Sequence, residues 1–104
     1  MRRRDDPEAF ERYRQEHKRC LAIVVRQMRT ENGLTPHELA QRAEISVEWL
    51  QRLETNQLHT NYSIGRLDRI VRAMGAELYD LYKRTDEMQG PPPWLDEEGA
   101  QNDE

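Results

Sequence analysis

Residues 34–54, LTPHELAQRAEISVEWLQRLE, contain two short amphipathic segments with almost no linker between them. Thr35 can cap the first segment, Pro36 suits its first helical position, and Glu38 stands three residues after the cap, as in a capping box. Ser46 can cap the second segment in the same way. Leucine and alanine recur at helical spacing through both segments. This stretch therefore predicts two consecutive short helices that pack on a common core.

Helices are also predicted on both sides of this pair. Before it, Asp6 and Pro7 begin a helical pattern that meets no breaker until Asn32-Gly33, which predicts one long helix or two abutting ones. After it come two further amphipathic helices, the second of them ending near Arg84. Their expected inward positions are Ile64, Leu67, Ile70, Val71, Met74, Leu78 and Leu81. No strand pattern and no internal repeat is found, so the expected fold is all-α.

Composition limits the core and the cellular location. The 104 residues include 36% hydrophobic and 35% charged side chains, and a helical bundle buries so little apolar surface most readily. No apolar run approaches the roughly 18 residues of a membrane span, and the first residues lack the apolar segment of a secretory signal. Cys20 is the one cysteine, so no internal disulfide can form, which fits a reducing cytoplasm. We expect a cytoplasmic protein with no membrane partner.

Charge divides the chain unevenly. The formal net charge is −4, but residues 85–104 alone carry seven acidic and no basic side chains. Their acidity and proline run are typical of a disordered tail, with local docking of Trp94-Leu95 as the one exception. We expect this tail to compete with DNA for the basic residues of the fourth helix. Three parts are expected: an N-terminal helical extension over residues 1–20, a folded domain over 21–84, and the acidic tail over 85–104. The folded part is near neutral, so the overall acidity does not exclude nucleic acid as a partner.

Residues 21–84 also carry the landmarks of a known family. At the family's spacing stand Gly33-Leu34-Thr35, Glu38-Leu39-Ala40, Ile45-Ser46, Leu50, Leu53-Glu54 and Ala73-Met74-Gly75. The chain resembles the Cro and lambda-repressor-like helix-turn-helix family, also called XRE, whose second and third helices are short and tightly joined. The resemblance implies a five-helix lambda-repressor-like domain, with an ion pair between Arg29 and Glu54 as a structural landmark.

The resemblance also implies where double-stranded DNA would bind. The family's third helix enters the major groove, and here that helix brings Val47, Glu48 and Arg52 toward base edges, flanked by Gln51 and Trp49. Arginine can fork onto a guanine, a carboxylate can accept from a cytosine amino group, and a valine can meet a thymine methyl. Trp49 is the least expected residue of this set, and packing at the edge of the core is its favoured role over contact with DNA.

Phosphate contacts are implied at the start of the second helix and in the loop that follows the third. These positions correspond to Pro36 and His37 and to the loop from Asn56 to Tyr62. Arg66, Arg69 and Arg72 form a basic stripe at helical spacing, and Arg66 is the best phosphate candidate because it lies near a helix start. The candidate DNA-binding residues are Thr35, His37, Ser46, Val47, Glu48, Gln51, Arg52, Asn56 and Arg66.

The functional prediction is a sequence-specific regulator, a homodimeric repressor that occludes its operator. Departures from the family keep two alternatives open. Pro36 lacks a donor, Glu48 repels phosphate, and the loop over residues 56–62 lacks lysine and arginine. One alternative is an antitoxin that grips a toxin or another regulatory protein. The other is a helix-turn-helix module that no longer reads DNA and binds a protein.

Catalytic and metal-binding patterns are lacking. The sequence contains no glycine-rich phosphate loop, nucleophile elbow or coherent carboxylate pair. His17 and Cys20 stand three residues apart, but two ligands do not make a zinc site. We therefore expect no enzymatic activity, no cofactor and no metal.

Overall fold

The computed structural model describes residues 6–59 and 62–94, and that part of the chain forms five α-helices and no strand. The helices are α1 (Pro7–Glu31), α2 (Pro36–Ala43), α3 (Val47–Glu54), α4 (Ile64–Ala73) and α5 (Leu78–Gln89). The all-α prediction is therefore confirmed. None of the helices in these two ranges is long and apolar enough to cross a membrane.

Side-chain caps begin four of these helices, and the starts of α1, α2 and α3 agree with the prediction. Asp6 accepts from the backbone N–H of Glu8 at 3.0 Å, ahead of Pro7. The capping box of α2 is complete, with Thr35 Oγ1 accepting from the Glu38 N–H at 3.1 Å and Glu38 Oε1 accepting from the Thr35 N–H at 2.8 Å. The remaining caps are Ser46 at α3 and Ser63 at α4.

The helix ends combine expected glycines with one unexpected residue. Gly33 and Gly75 have φ angles of +68° and +76°, the left-handed conformation that ends α1 and α4. Asn56 adopts the same region after α3, with φ +56°. Glu44, between α2 and α3, does so as well at φ +57°, although nothing in the sequence indicates it. This left-handed residue allows a turn of three residues, 44–46, to redirect the chain from α2 into α3.

All five helices contribute to one apolar core. Its largest fully buried side chains include Leu21, Val24, Val25, Leu39, Leu50, Leu53, Leu67, Ile70, Val71 and Leu81. Ile64 is the exception among the predicted inward positions, because 63% of its surface is exposed. It opens α4 at the edge of the apolar stripe, while Leu67, Ile70 and Val71 define the stripe's centre. The prediction that Ile64 points inward is wrong.

An ion pair between Arg29 and Glu54 joins α1 to α3. Arg29 donates from Nε and Nη2 to the two carboxylate oxygens of Glu54, both at 2.8 Å, and from Nη1 to the Leu34 carbonyl at 2.9 Å. The side chains are only 11% and 6% exposed. The hydrogen bonds to Glu54 raise the pKa of Arg29 above its ordinary value. This confirms the pairing that the family resemblance implies.

The N-terminal extension is continuous with the first helix of the domain and packs against α5. Gln89 donates from Nε2 to the Tyr13 carbonyl at 2.8 Å, and its Oε1 lies 3.1 Å from His17 Nδ1. Trp94 stacks on Phe10 with ring centroids 5.9 Å apart and meets Tyr13 edge-on at 5.4 Å. These contacts attach the chain beyond α5 to the first half of α1.

The fifth helix extends into the segment predicted to be a disordered acidic tail. The helix expected to end near Arg84 continues to Gln89, and Thr85 is fully buried with its hydroxyl donated to the Leu81 carbonyl at 2.8 Å. The predicted disorder is therefore wrong for residues 85–89, which are helical, while Trp94 docks on α1 as the expected exception. Residues 95–104, and with them the expected competition of the tail with DNA, lie outside the described residues.

Replacing Glu54 with alanine is expected to lower the free energy of unfolding by about 3–5 kcal/mol, because the Arg29 guanidinium would stay buried without its carboxylate. Urea denaturation followed by circular dichroism measures this change. The matched control is Arg84→Ala, which breaks a bidentate pair on the surface. In that pair Arg84 donates from Nη1 and Nη2 to the two carboxylate oxygens of Glu31, at 3.0 and 2.8 Å. The control is expected to change stability far less. Equal losses in the two variants would contradict the role given to the buried pair.

Candidate nucleic-acid interface

The outward face of α3 is built by two buried leucines. Leu50 and Leu53 are fully buried, which leaves Glu48, Gln51 and Arg52 exposed on the opposite side. The side chains of these three residues have no hydrogen bond or ion pair with other described residues. The predicted exposure of this face is confirmed, and its charged and amide groups are free to contact a partner.

The two flanking residues of α3 lie closer to the core. Val47 and Trp49 are half-buried and pack against the core cluster. The packing role favoured for Trp49 is thus confirmed, and its ring also has the Arg66 guanidinium above it, with 5.1 Å between the Cζ atom and the ring centroid. The structure brings Arg66, from α4, against the flank of α3. Sequence spacing could not show this pairing, because Trp49 and Arg66 belong to different helices.

At the start of α2, one candidate side chain is free and one is engaged. His37 is exposed, whereas the backbone N–H and the hydroxyl oxygen of Thr35 already bond to Glu38. The backbone and side-chain hydrogen bonds from Thr35 hold the pKa of Glu38 below its ordinary value. Ser46 is engaged in a similar way, because its hydroxyl accepts from the Trp49 N–H at 3.1 Å. The caps Thr35 and Ser46 thus stabilise the starts of α2 and α3 in the free protein.

The loop after α3 is held by a lysine from α1 that the sequence did not suggest. Lys18 donates from Nζ to the Leu58 carbonyl at 3.3 Å, and the same atom lies 5.5 Å from the centre of the Tyr62 ring. The Tyr62 hydroxyl donates in turn to the Lys18 carbonyl at 3.5 Å. A loop without basic residues of its own therefore receives a positive charge from α1. Asn56 begins this loop and is exposed, while residues 60–61 lie outside the described part.

Carboxylates neutralise much of α1 and leave other arginines free. Arg12 and Arg19 pair with Glu8 and Glu16 along the helix. Arg72 pairs with Asp68 at 3.0 Å. Of the three arginines in the predicted basic stripe of α4, Arg66 and Arg69 therefore have no carboxylate partner among the described residues. Within ranges 6–59 and 62–94, the arginines with no ion pair to a carboxylate are Arg26, Arg42, Arg52, Arg66 and Arg69.

These free arginines surround the second and third helices. Arg26 borders a shallow hollow with Gln51 and Thr55 of α3. Arg42 and Arg69 border another, beside Glu44 at the turn between α2 and α3. The surface near α3 is therefore locally more basic than the net charge of −4 suggests. A local excess of positive charge is what a phosphate backbone requires.

The short α2, the tight turn and the exposed α3 define a helix-turn-helix unit. In agreement, residues 21–81 match the family model described as a helix-turn-helix domain. This match covers more than half of the chain, which therefore belongs to that family of DNA-binding transcription regulators, and the family is not one of enzymes.

Solved structures with the same fold include two of the clp gene regulator ClgR from Corynebacterium glutamicum. The first has a TM-score of 0.64 and 24% sequence identity, and the match covers 84% of this chain and 84% of that chain. The second has the same TM-score and identity and covers 71% and 92%. No curated protein matches the sequence significantly. The structural likeness confirms the five-helix, lambda-repressor-like architecture.

The left-handed turn at Glu44 gives a test of how α3 is positioned. Glu44→Gly is expected to raise the free energy of unfolding by about 0.5–1 kcal/mol, because the left-handed conformation costs most residues about 1–2 kcal/mol, part of which the greater flexibility of unfolded glycine offsets. Thermal denaturation measures the change. The matched control, Glu48→Gly, places glycine inside α3 and is expected to cost about 1 kcal/mol. Destabilisation by the change at residue 44 would show that the turn is not strained.

Proposed function

We propose that this chain is a cytoplasmic transcriptional repressor that binds an operator as a homodimer and acts by occluding it. The observation that carries the proposal is the outward face of α3, where Glu48, Gln51 and Arg52 are exposed and unpaired on a helix fixed by buried leucines and by the Arg29–Glu54 pair. A rigid helix with free polar side chains suits the major groove, which admits one α-helix. The fold that the chain shares with ClgR, a gene regulator, agrees with this role.

Each exposed side chain of α3 fits a base-edge contact. Arg52 can donate two hydrogen bonds to a guanine, and Gln51 can bond to an adenine. Glu48 can accept from a cytosine amino group, and at other sequences its charge opposes binding. We assign the base-reading role to these three residues, and a lesser one to Val47 because it is half-buried.

Phosphate contacts are assigned to the groups that flank α3. His37 and Asn56 are exposed at the two expected positions, and Arg66 stands at the start of α4. Thr35 and Ser46 support these contacts by fixing the helix starts. Lys18 and Arg26, which the sequence pattern did not single out, add positive charge at the loop and beside α3.

A protein partner such as a toxin is the second candidate, and one surface favours it. The first half of α1 lies outside the matched family region and, with the segment after α5, presents aromatic and apolar side chains. Phe10, in this half of α1, is 49% exposed, and Met88, near the end of α5, is 40% exposed. An exposed apolar surface of this kind suits a protein contact. A protein contact at this surface is compatible with DNA binding by α3, because the two surfaces consist of different residues.

The homodimer is a prediction in its own right. One domain of this size makes few phosphate contacts, and helix-turn-helix proteins reach tight binding by placing two copies on two half-sites. Size-exclusion chromatography with light scattering is expected to give twice the 12.4 kDa chain mass. A monomer at high micromolar concentration, both free and on DNA, would contradict it.

Substitutions on α3 test the reading of DNA. Arg52→Ala is expected to cost about 1–3 kcal/mol at the operator and to relax one base position. Glu48→Ala is expected to raise affinity for scrambled duplex, because one repulsive charge is lost, and to lower the ratio of specific to non-specific binding. Gel shifts on the promoter of the protein's own gene and on scrambled duplex, at one fixed salt concentration, measure both effects.

The control for Glu48→Ala is Glu87→Ala, which removes one exposed acidic charge from α5. It is expected to leave the specificity ratio unchanged. Identical binding curves for wild type, Glu48→Ala and Arg52→Ala on both duplexes would show that α3 does not read DNA. Loss of toxin or other partner binding in those two variants, with DNA binding intact, would favour the protein-interaction alternative.

A further inference from the structure

A polar hollow lies where the start of α3 meets α4. It encloses about 250 Å³ and is lined by Glu44, Ile45, Ser46, Trp49, Arg66 and Arg69. Two of these residues are arginines without a carboxylate partner in the described part of the chain. One carboxylate, that of Glu44, also borders the hollow, so its formal charge is net positive. The cap of α3, Ser46, lies at its wall, which adds the positive end of the helix dipole.

The two arginines are held in different ways that leave donors available. Arg66 lies over the Trp49 ring, with its Cζ atom 5.1 Å from the ring centroid. The Arg66 side chain has no hydrogen bond or ion pair with other described residues, so its N–H donors are available. Arg69 donates from Nη1 to the Glu44 carbonyl at 3.2 Å, which uses one of its five N–H donors. The remaining donors suit an anion with several oxygens.

We propose that this hollow holds one phosphate of the DNA backbone, that Arg66 and Arg69 bind it, and that Trp49 is the positioning residue that aims Arg66 at it. The proposal rests on the proposed DNA-binding function and adds a specific phosphate site and its support. Planar arginine edges match phosphate oxygens better than any other side chain. Contact with the Trp49 ring restrains the long Arg66 side chain before binding, so less conformational freedom is lost when the phosphate arrives.

The position of the hollow agrees with a backbone contact beside the groove. Ser46 and Trp49 belong to the beginning of α3, and Glu48, between them in sequence, lies on its exposed face. A phosphate held against this flank would set the register of α3 relative to the base edges. Phosphate contacts position a protein on the duplex, while base contacts specify the sequence.

The salt dependence of binding to a scrambled duplex tests the two arginines, because it counts phosphate contacts without requiring the operator. Arg66→Ala is expected to reduce the slope of log K against log salt concentration by about 1, the value for one lost phosphate contact. Arg69→Ala is expected to reduce it as well. The matched control is Lys83→Ala, which removes a cation that lies 6.0 Å from the centre of an aromatic ring, Tyr79, on α5. Its slope is expected to equal that of the wild type.

The role of Trp49 needs variants that keep the core intact. Trp49→Leu keeps an apolar side chain but removes the aromatic face, and is expected to reduce the slope. Trp49→Phe keeps a ring and is expected to restore it. In an Arg66→Ala background, Trp49→Leu is expected to add no further change. A reduction by Trp49→Leu of equal size with and without Arg66 would overturn the positioning role and leave Trp49 a packing residue only.

The outcomes separate this proposal from the proposed function. Circular dichroism and light scattering are measured on every variant to check that folding and assembly equal those of the wild type. Wild type that binds neither promoter nor scrambled duplex at low salt would overturn DNA binding, and the phosphate site with it. Wild type that binds, with the slopes of Arg66→Ala and Arg69→Ala unchanged, would overturn the phosphate site alone.

Discussion

The geometry of the candidate interface depends on the ion pair between Arg29 and Glu54. α3 has eight residues, too few for a helix of that length to be stable alone in water. The Glu54 carboxylate, at the end of α3, is bound by the Arg29 guanidinium of α1. The same guanidinium donates to the Leu34 carbonyl just before α2. Three elements thus share one charged group. The direction of every side chain on the exposed face of α3 follows from this arrangement.

Charge pairing explains how an acidic protein can have a basic face. Along α1, acidic side chains stand one helical turn from arginines and neutralise them. Arg42 and Arg52 also follow a glutamate by one helical turn, but neither forms an ion pair with a described carboxylate. Arg66 and Arg69 contact an aromatic ring and a carbonyl oxygen instead. The same net charge distributed evenly would leave no local attraction for phosphate. A surface with few free cations favours dependence on the correct bases over tight binding to any duplex.

Local signals in the sequence predicted most of the fold. Asp6, Thr35, Ser46 and Ser63 cap their helices because a cap needs only the residues of one turn. The outward face of α3 was predictable for the same reason. The features that were missed depend on residues far apart, such as Lys18 against the loop at Leu58 or Arg66 against Trp49. Glu44 differs: its left-handed conformation is imposed by the packing of α2 and α3, and its side chain carries no sign of it.

The packing of Trp94 on Phe10 and Tyr13 has a consequence for synthesis on the ribosome. The contacts of Gln89 with Tyr13 and His17 join residues 76 and 72 positions apart. The first half of α1 is made first, yet its partners are made after all the rest of the described chain. In a nascent chain, α1 through α4 can therefore pack together before Gln89 and Trp94 are available to pack on the first half of α1. Chaperones or a partner that recognise exposed aromatic groups would meet this segment before the protein is complete.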